Sequence, residues 1–434
     1  MTTLFAGFAA EDISPQDPAQ LSGFVIRQGL SQGVHDPLYV RVLTFSDRET
    51  TVCLVILDLI GTDAELTKKI RQSVTENSSV PAEHVAILAT HTHGGPAVLS
   101  RSQLGNVDAA YLDVVVEGVS RAVKRALAKQ QPVTLKVARG KESSIAKNRR
   151  NPDGPIDPDV PVLCFDTAKG LAGLLTSYAC HPVTLGPDNL QFTRDYPGAT
   201  LDALEKAYPD TFAAFATGCC GQLNTGHKAG DSLVSGGAAR RTFAEAERLG
   251  KLLAQTVKLT TEAAAKTEPI QALPLKVLQK KVALPLQNSQ GDSAQVEDWQ
   301  NELEHLSQED TANRAILEAK LAWAQHWQSS PAENHVEVEI MVMRLGEVVL
   351  AMYPGEIFVE FALNLKANFA NTFIMTLSYA NSAPGYIPYK TAYAEGGYEV
   401  DEAYQYYGQA GPFPAEAGEL MQREMILLVE EVLK

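Results

Sequence analysis

The stretch His91-Thr92-His93-Gly94-Gly95-Pro96 directly follows the apolar run from Val85 to Thr90, so it stands where a buried strand leaves its sheet. Residues two apart in an extended backbone project to the same side. His91 and His93 can therefore face one point, while Gly94 and Gly95 leave space for a ligand to approach. His181, placed before Pro182 at the end of a second apolar run, and Glu356, in the turn Pro354-Gly355-Glu356, are further ligating side chains at strand ends. Two histidines and a carboxylate make a catalytic zinc set, because such sites use about three protein ligands and keep a position for water. Singly, each has a plainer reading: His181 as a satisfied buried histidine, and Glu356 as a carboxylate favoured at the start of a helix. Their recurrence at strand ends makes the joint site the stronger reading.

The elements that must position these residues are legible as apolar, β-branched runs ending in reactive clusters. Val52–Leu57 ends at Asp58, Leu171–Cys180 at His181, and Phe212–Ala216 at the Gly-rich segment leading to Asn224. Val348–Tyr353 runs into Pro354, and Thr372–Leu377 runs into Asn381 and Tyr386. In open α/β sheets ligands bind beyond the carboxyl ends of the strands. Apolar residues at three- and four-residue spacing predict helices over Asp63–Asn77, Ala109–Ala128, Ala199–Ala207, Ala238–Ala265 and Glu416–Leu433. The alternation predicts an α/β layered fold of mixed sheets with flanking helices, forming one continuous domain over residues 1–434. Residues 287–333 differ. A polar loop precedes a charged helical pattern from Val296 to Trp327, which reads as a helical insertion packed on the core or, as the weaker alternative, a lid.

Composition narrows the partners. The 434 residues are 45% hydrophobic and 21% charged, enough to bury a large core. A net charge of -15 repels nucleic acid and anionic membrane surfaces, which points to a small-molecule substrate and away from nucleic acid. No window reaches the apolar length of a spanning helix, and no basic segment precedes an apolar N-terminal core. We therefore expect no membrane insertion and a cytoplasmic protein, with homo-oligomerisation left open. The five cysteines are odd in number and mostly sit in apolar runs, as suits buried thiols. The pair Cys219-Cys220 lacks the spacing of a metal or redox motif.

Taken together, the chain resembles the neutral, non-lysosomal ceramidase family, specifically its N-terminal zinc-dependent catalytic domain. The resemblance is carried by Gly7-Phe-Ala-Ala-Glu-Asp-Ile-Ser-Pro15, Gly33-Val-His-Asp-Pro-Leu-Tyr-Val-Arg41, Ala89-Thr-His-Thr-His-Gly-Gly-Pro96, Asn148-Arg-Arg150 and Cys180-His-Pro182. It continues through Arg194-Asp-Tyr-Pro-Gly198, Gly218-Cys-Cys-Gly-Gln-Leu-Asn224, Pro354-Gly-Glu356 and Asn381-Ser-Ala-Pro-Gly-Tyr386. It implies one Zn²⁺ per chain held by His91, His181, Glu356 and Tyr386, with His93 as a substrate-facing histidine and Arg149 near the active site. A phenol ligand is chemically sensible, since a cation lowers its pKa and an anionic Tyr386 with Glu356 balances the charge. The chain departs from the family at Asn224, which stands where a serine is essential. Asparagine is no nucleophile but can hydrogen-bond a substrate carbonyl or tetrahedral intermediate. The family's C-terminal immunoglobulin-like domain is expected to be absent, since the sequence stops at Lys434 after a helical pattern.

The implied chemistry is hydrolysis by metal-activated water, with His93 transferring a proton to the leaving group or supporting a ligand from behind. Arg149 reads as a clamp for a substrate carboxylate or oxyanion, with Arg150 or a structural salt bridge as the competing reading. Asp58 and Asp195 either orient ligand histidines or cap neighbouring elements, and Asp36 reads as structural. The leading expectation is a zinc hydrolase that cleaves an amide of a small polar or anionic substrate rather than membrane ceramide. Cleavage of an ester, lactone or glycosidic bond, and metal-stabilised small-molecule binding without turnover, are the alternatives. Tyr393, Tyr398, Tyr404, Tyr406 and Tyr407 are set either to line a pocket or to pack on the core.

Overall fold

The computed structural model describes residues 3–234, 240–270, 274–287 and 293–434. Two sheets form the frame. The first has eight strands: β1 (Leu4–Asp12), β2 (Tyr39–Ser46), β3 (Thr51–Leu57), β4 (Val85–Ala89), β5 (Gln131–Lys141), β6 (Asp159–Thr167), β7 (Gly170–Tyr178) and β8 (Phe212–Thr217), in the order β8-β7-β6-β5-β1-β2-β3-β4. The second has four: β9 (Leu275–Pro285), β10 (His335–Leu345), β11 (Val348–Met352) and β12 (Phe373–Leu377), in sequential order. Both sheets are mixed. The parallel pairs are β3 with β4, β7 with β8, and β11 with β12, and these are the strands whose ends carry the expected site residues.

Period-two burial shows how the sheets meet. Val52, Leu54 and Ile56 of β3 face Met341, Met343, Leu350 and Met352 of the second sheet in one apolar layer, while Cys53, Val55 and Leu57 point to the opposite side. The inner layer is thus sheet on sheet. Helices cover the outer faces: α1 (Ala64–Asn77) and α2 (Ala109–Ala128) over one half of the first sheet, and α3 (Asp195–Ala207) and α4 (Phe243–Ala264) over the other. The helix at Ala415–Leu433 buries Met421, Met425 and Val429 against Ile340 and Val342 of the second sheet. The result is a four-layered α/β/β/α arrangement, as the sequence predicts in class. It differs from a single open sheet in that the inner faces of the two sheets cover each other. The described residues contain no separate immunoglobulin-like sandwich and no helix long and apolar enough to cross a membrane.

The helical expectations agree closely with the structure, with two informative differences. The third helix begins at Asp195 rather than Ala199, because Pro197 and Gly198 fall in its first turn, where a proline removes no hydrogen bond. The charged pattern from Val296 to Trp327 forms two helices, α5 (Ser293–His305) and α6 (Thr311–Ser329), not one. Asp310 breaks it by accepting from Asn313 N–H as the N-cap of the second. Residues 238–239 of the expected fourth helix and 288–292 of the polar loop lie outside the described residues.

What brings the strand ends together is a link between the two edges of the first sheet. Thr217 Oγ1, at the end of β8, donates to the Thr90 carbonyl at 2.6 Å, joining the two edge strands. The segment after β12 is laid into this seam: Ser378 N–H donates to Thr217 O at 2.9 Å, Ala89 N–H to Tyr379 O at 3.2 Å, and Asn381 N–H to Ile87 O at 2.7 Å. Asn381 Oδ1 returns the bond by accepting from Ile87 N–H at 2.9 Å. The carboxyl ends of strands from both sheets therefore converge on one point.

Candidate metal centre

At that point His91, His181 and Glu356 place one ligand atom each within 4.8 Å of one another, and all three are buried. Each ring is oriented by main chain. His91 Nδ1 donates to Ile60 O at 2.6 Å, and His181 Nδ1 donates to Cys220 O at 2.8 Å and Leu223 O at 2.9 Å. Nε2 of both rings is left facing Glu356 Oε2, at 3.5 Å from His91 and 2.6 Å from His181. Asp58 and Asp195 take no part: Asp58 accepts from Tyr39 N–H and Thr90 Oγ1, and Asp195 from the Tyr196 and Leu185 N–H groups. They hold neighbouring elements, the second of the two readings expected for them. His91 has a left-handed backbone, φ 67°, a strained conformation for a residue with a side chain.

The electrostatics are those of a cation site held open. Burial pushes His91 down to about 4, so its ring is neutral. Burial alone would raise Glu356, but the imidazoles of His91 and His181 hold it at about 2. Burial would likewise depress His181, yet the Cys220 sulfur and the Glu356 carboxylate reverse the sign and hold it at about 10. A buried anion shares a proton with an imidazole whose Nδ1 side is already committed to carbonyls. A divalent cation is the natural substitute for that proton, and the donor set of two Nε2 atoms and one carboxylate oxygen suits it.

Tyr386 lies beside this group, its strand pairing directly with Glu356 in parallel register. Its ring stacks towards His181 at 6.4 Å between centroids. Arg149 Nη2 donates to the phenol oxygen at 2.9 Å, while Arg149 Nε donates to Glu399 at 2.8 Å. Burial pushes the phenol pKa up, and the Arg149 charge opposes it. Arg150 donates to the other Glu399 oxygen at 2.7 Å, so two arginines share one buried carboxylate. The structural salt bridge weighed for Arg149 is thus present, and its Nη1 has no hydrogen-bond partner among the described residues. His93 Nε2 stands 3.3 Å from His91 Nε2. Its pKa is driven well below the ordinary value by burial, then by His91, His181, Arg27 and Arg241. Asn224 is fully buried and holds its own loop: Oδ1 accepts from Gly226 and His227 N–H, and Nδ2 donates to His227 O.

Two residues at the centre escaped the sequence reading. Tyr407, there one of several loop tyrosines, donates its hydroxyl to Glu356 Oε1. Tyr379 stacks on His91 at 4.0 Å and 11° and places its hydroxyl 3.5 Å from both His181 Nε2 and Glu356 Oε2. Tyr379 could have been found by the strand-end rule, since it follows β12 by two residues. Tyr407 could not, because it arrives from a loop with no periodic signal. A cleft lined by Gly23, Phe24, His93, Arg149, His181 and Tyr386 leads to the centre, with apolar walls from Leu104, Val183, Leu233, Tyr398 and Tyr406. Tyr398 and Tyr406 thus line the cleft, whereas Tyr393 binds Phe413 O and Tyr404 packs on Trp323. All five cysteines are free and buried.

A four-layered fold with a buried His/His/Glu group at its strand ends is matched by the family model for the N-terminal domain of neutral/alkaline non-lysosomal ceramidase, over residues 5–228. The chain belongs to this family of hydrolases, as its motifs imply. The neutral ceramidase of Pseudomonas aeruginosa is 32% identical over 133 residues, a match covering 26% of this chain and spanning only 20% of that relative's length. The crystal structure of neutral ceramidase from Pseudomonas aeruginosa shares the fold with a TM-score of 0.77 at 18% identity, over 98% of this chain and 74% of that one. A ceramidase complexed with C2 gives 0.76 at 19% identity, over 99% and 76%.

Proposed function

We propose that the chain is a zinc-dependent hydrolase cleaving the amide bond of a small polar or anionic substrate. The observation that carries this reading is the buried His91, His181 and Glu356 group at the inner end of a cleft that also presents His93 and Arg149. Tyr386 completes the ligand set as the family resemblance implies. Zn²⁺ in such a set supplies Lewis acidity and lowers the pKa of water to about 7. His93, 3.3 Å from His91 Nε2 and on the cleft wall, is placed to pass a proton from the attacking water to the leaving nitrogen. Arg149, held by Glu399, turns Nη1 towards the developing oxyanion or a substrate carboxylate.

The apolar walls of the cleft favour a second reading, in which the substrate carries an acyl chain, as ceramide does. One panel separates the two: N-acyl amides with charged and neutral heads and with short and long chains, run beside esters and glycosides on zinc-loaded protein. Turnover confined to short, polar amides supports the first reading, a preference for long chains supports the second, and turnover of esters or glycosides alone removes the amidase reading.

A further inference from the structure

The segment laid between the edges of the first sheet carries a second phenol to the centre. Tyr379 is buried and is fixed on both sides. Its N–H donates to Gly355 O at 3.2 Å, in the turn that presents Glu356, and its carbonyl accepts from Ala89 N–H at 3.2 Å, on the strand that leads to His91. Its backbone is left-handed, φ 56°, like that of His91 at 67°, and the two rings stack on each other. Backbone of this kind persists where the surroundings over-determine it, and it clusters at functional sites.

The spacing of the hydroxyl says what it does there. Tyr379 Oη lies 3.5 Å from His181 Nε2 and 3.5 Å from Glu356 Oε2. Both contacts are long for a hydroxyl donor, which prefers about 2.5–3.0 Å to oxygen. They match two ligands of one cation: bonds of about 2.0–2.2 Å in tetrahedral geometry set the donor atoms about 3.3–3.6 Å apart. His91 Nε2 and Glu356 Oε2, at 3.5 Å, have the same spacing. His93 Nε2 reaches one ligand atom, His91 Nε2, at 3.3 Å, whereas Tyr379 reaches two. The remaining contact of the hydroxyl, Cys220 Sγ at 3.4 Å, is a weak partner for a buried polar group. Tyr386 is placed differently. Its oxygen accepts from Arg149 Nη2 at 2.9 Å and its side chain lines the cleft, so it has a positive partner already. For Tyr379 the matching positive partner is a cation bound by His181 and Glu356.

We propose that Tyr379 is a ligand of the metal, meeting the cation through its hydroxyl oxygen beside His91, His181 and Glu356. The hydroxyl proton leaves to solvent as the cation enters. Glu356 and one phenolate, with two neutral imidazoles, then offset the charge of Zn²⁺, and the side towards the cleft is left for water. This rests on the reading of the centre as a metal site and adds a ligand that the family resemblance does not imply.

The test loads the full chain with Cu²⁺, which imidazole and carboxylate sites accept and which gives a visible charge-transfer band when a phenolate binds it. Resonance Raman excited in that band should show the ring vibrations of a coordinated phenolate, which separates it from a thiolate such as Cys220. Tyr379→Phe keeps the ring that stacks on His91. It should retain its copper, lose at least half of the phenolate band, and bind zinc at least about tenfold more weakly, the lower end of what even an outer partner of a ligand contributes. The double variant Tyr386→Phe, Tyr407→Phe should keep a phenolate band at saturating copper, which decides the matter if Tyr379→Phe fails to fold. Bound copper without phenolate vibrations, an undiminished band in Tyr379→Phe, or loss of the band in the double variant overturns the proposal while leaving the metal site in place. Failure of the wild-type chain to hold either copper or zinc overturns the proposal and the metal reading together.

Discussion

Tyr407 donates its hydroxyl to Glu356 Oε1, while the other oxygen of the same carboxylate, Oε2, faces His181 and His91. The two oxygens are thereby given different work. Oε1 is held from a loop that also supplies cleft wall, and Oε2 is turned towards the Nε2 atoms. Outer partners of this kind fix ligand orientation and typically account for 10–100-fold in metal affinity. Tyr407→Phe should therefore weaken zinc binding by about that factor, measured by competition with a chromophoric chelator. An unchanged affinity would mean that packing alone orients Glu356.

Metal analysis comes before any kinetics. The purified or reconstituted chain should hold about one zinc per chain, and both His91→Ala and Glu356→Ala should lose it while remaining folded by circular dichroism. Zinc retained in both variants would place the metal elsewhere in the molecule.

Glu399 is 2% exposed and serves Arg149, 7% exposed, and Arg150, 11% exposed. Removing one partner of a buried ion pair costs about 3–5 kcal/mol, because the remaining charge is left uncompensated. Glu399→Gln should lower the urea midpoint accordingly and release the Arg149 side chain from Tyr386. A loss below about 1 kcal/mol would show that water reaches these guanidinium groups.

Burial first, then the charges of Arg241 and Arg149, lower His227 from 6.5 to about 3. Its sign follows from linkage. Above pH 6.5 neither the folded nor the unfolded state holds the proton, so the group contributes nothing. As pH falls from 6.5 towards 3, only the unfolded state binds it, and stability drops by about 1.4 kcal/mol per pH unit. His227→Gln should match wild type at pH 7 apart from a constant offset and lose about 2 kcal/mol less than wild type between pH 7 and 5, read from urea midpoints. Parallel pH profiles would show that the ring takes up its proton in the folded state.

Gly23 has φ 103°, and a Cβ added there would lie 2.3 Å from His93 Nδ1. Gly23→Ala therefore combines a backbone penalty with a clash against His93, the residue proposed to transfer the proton. We expect turnover to fall at least tenfold, with a stability loss of about 1–3 kcal/mol. Activity at the wild-type level would remove His93 from the reaction.

The part of this architecture that a sequence displays is the part governed by short-range periodicity. The apolar runs ending at Thr90, Cys180 and Tyr353 are strands because their neighbours on both faces are buried, and that burial leaves a continuous hydrophobic signature. His91, His181 and Glu356 were visible because they stand just past the ends of those runs. What was hidden depends on long-range geometry. The seam closed by Thr217 and Thr90 joins residues 127 apart in the chain, and the Tyr407 to Glu356 bond spans 51. Asn224 was conspicuous for its residue type, but its three bonds to its own loop are a matter of conformation that composition does not reveal.

The orientation of the ligand rings by carbonyl groups has a bearing on how such a site can diversify. Carboxylates that fix a histidine tautomer are side chains and can be lost to one codon change. The acceptors here are the backbone oxygens of Ile60, Cys220 and Leu223, which every residue supplies. Side-chain substitutions at Cys220 and Leu223 therefore leave in place the acceptors that decide which nitrogen the His181 ring turns towards Glu356.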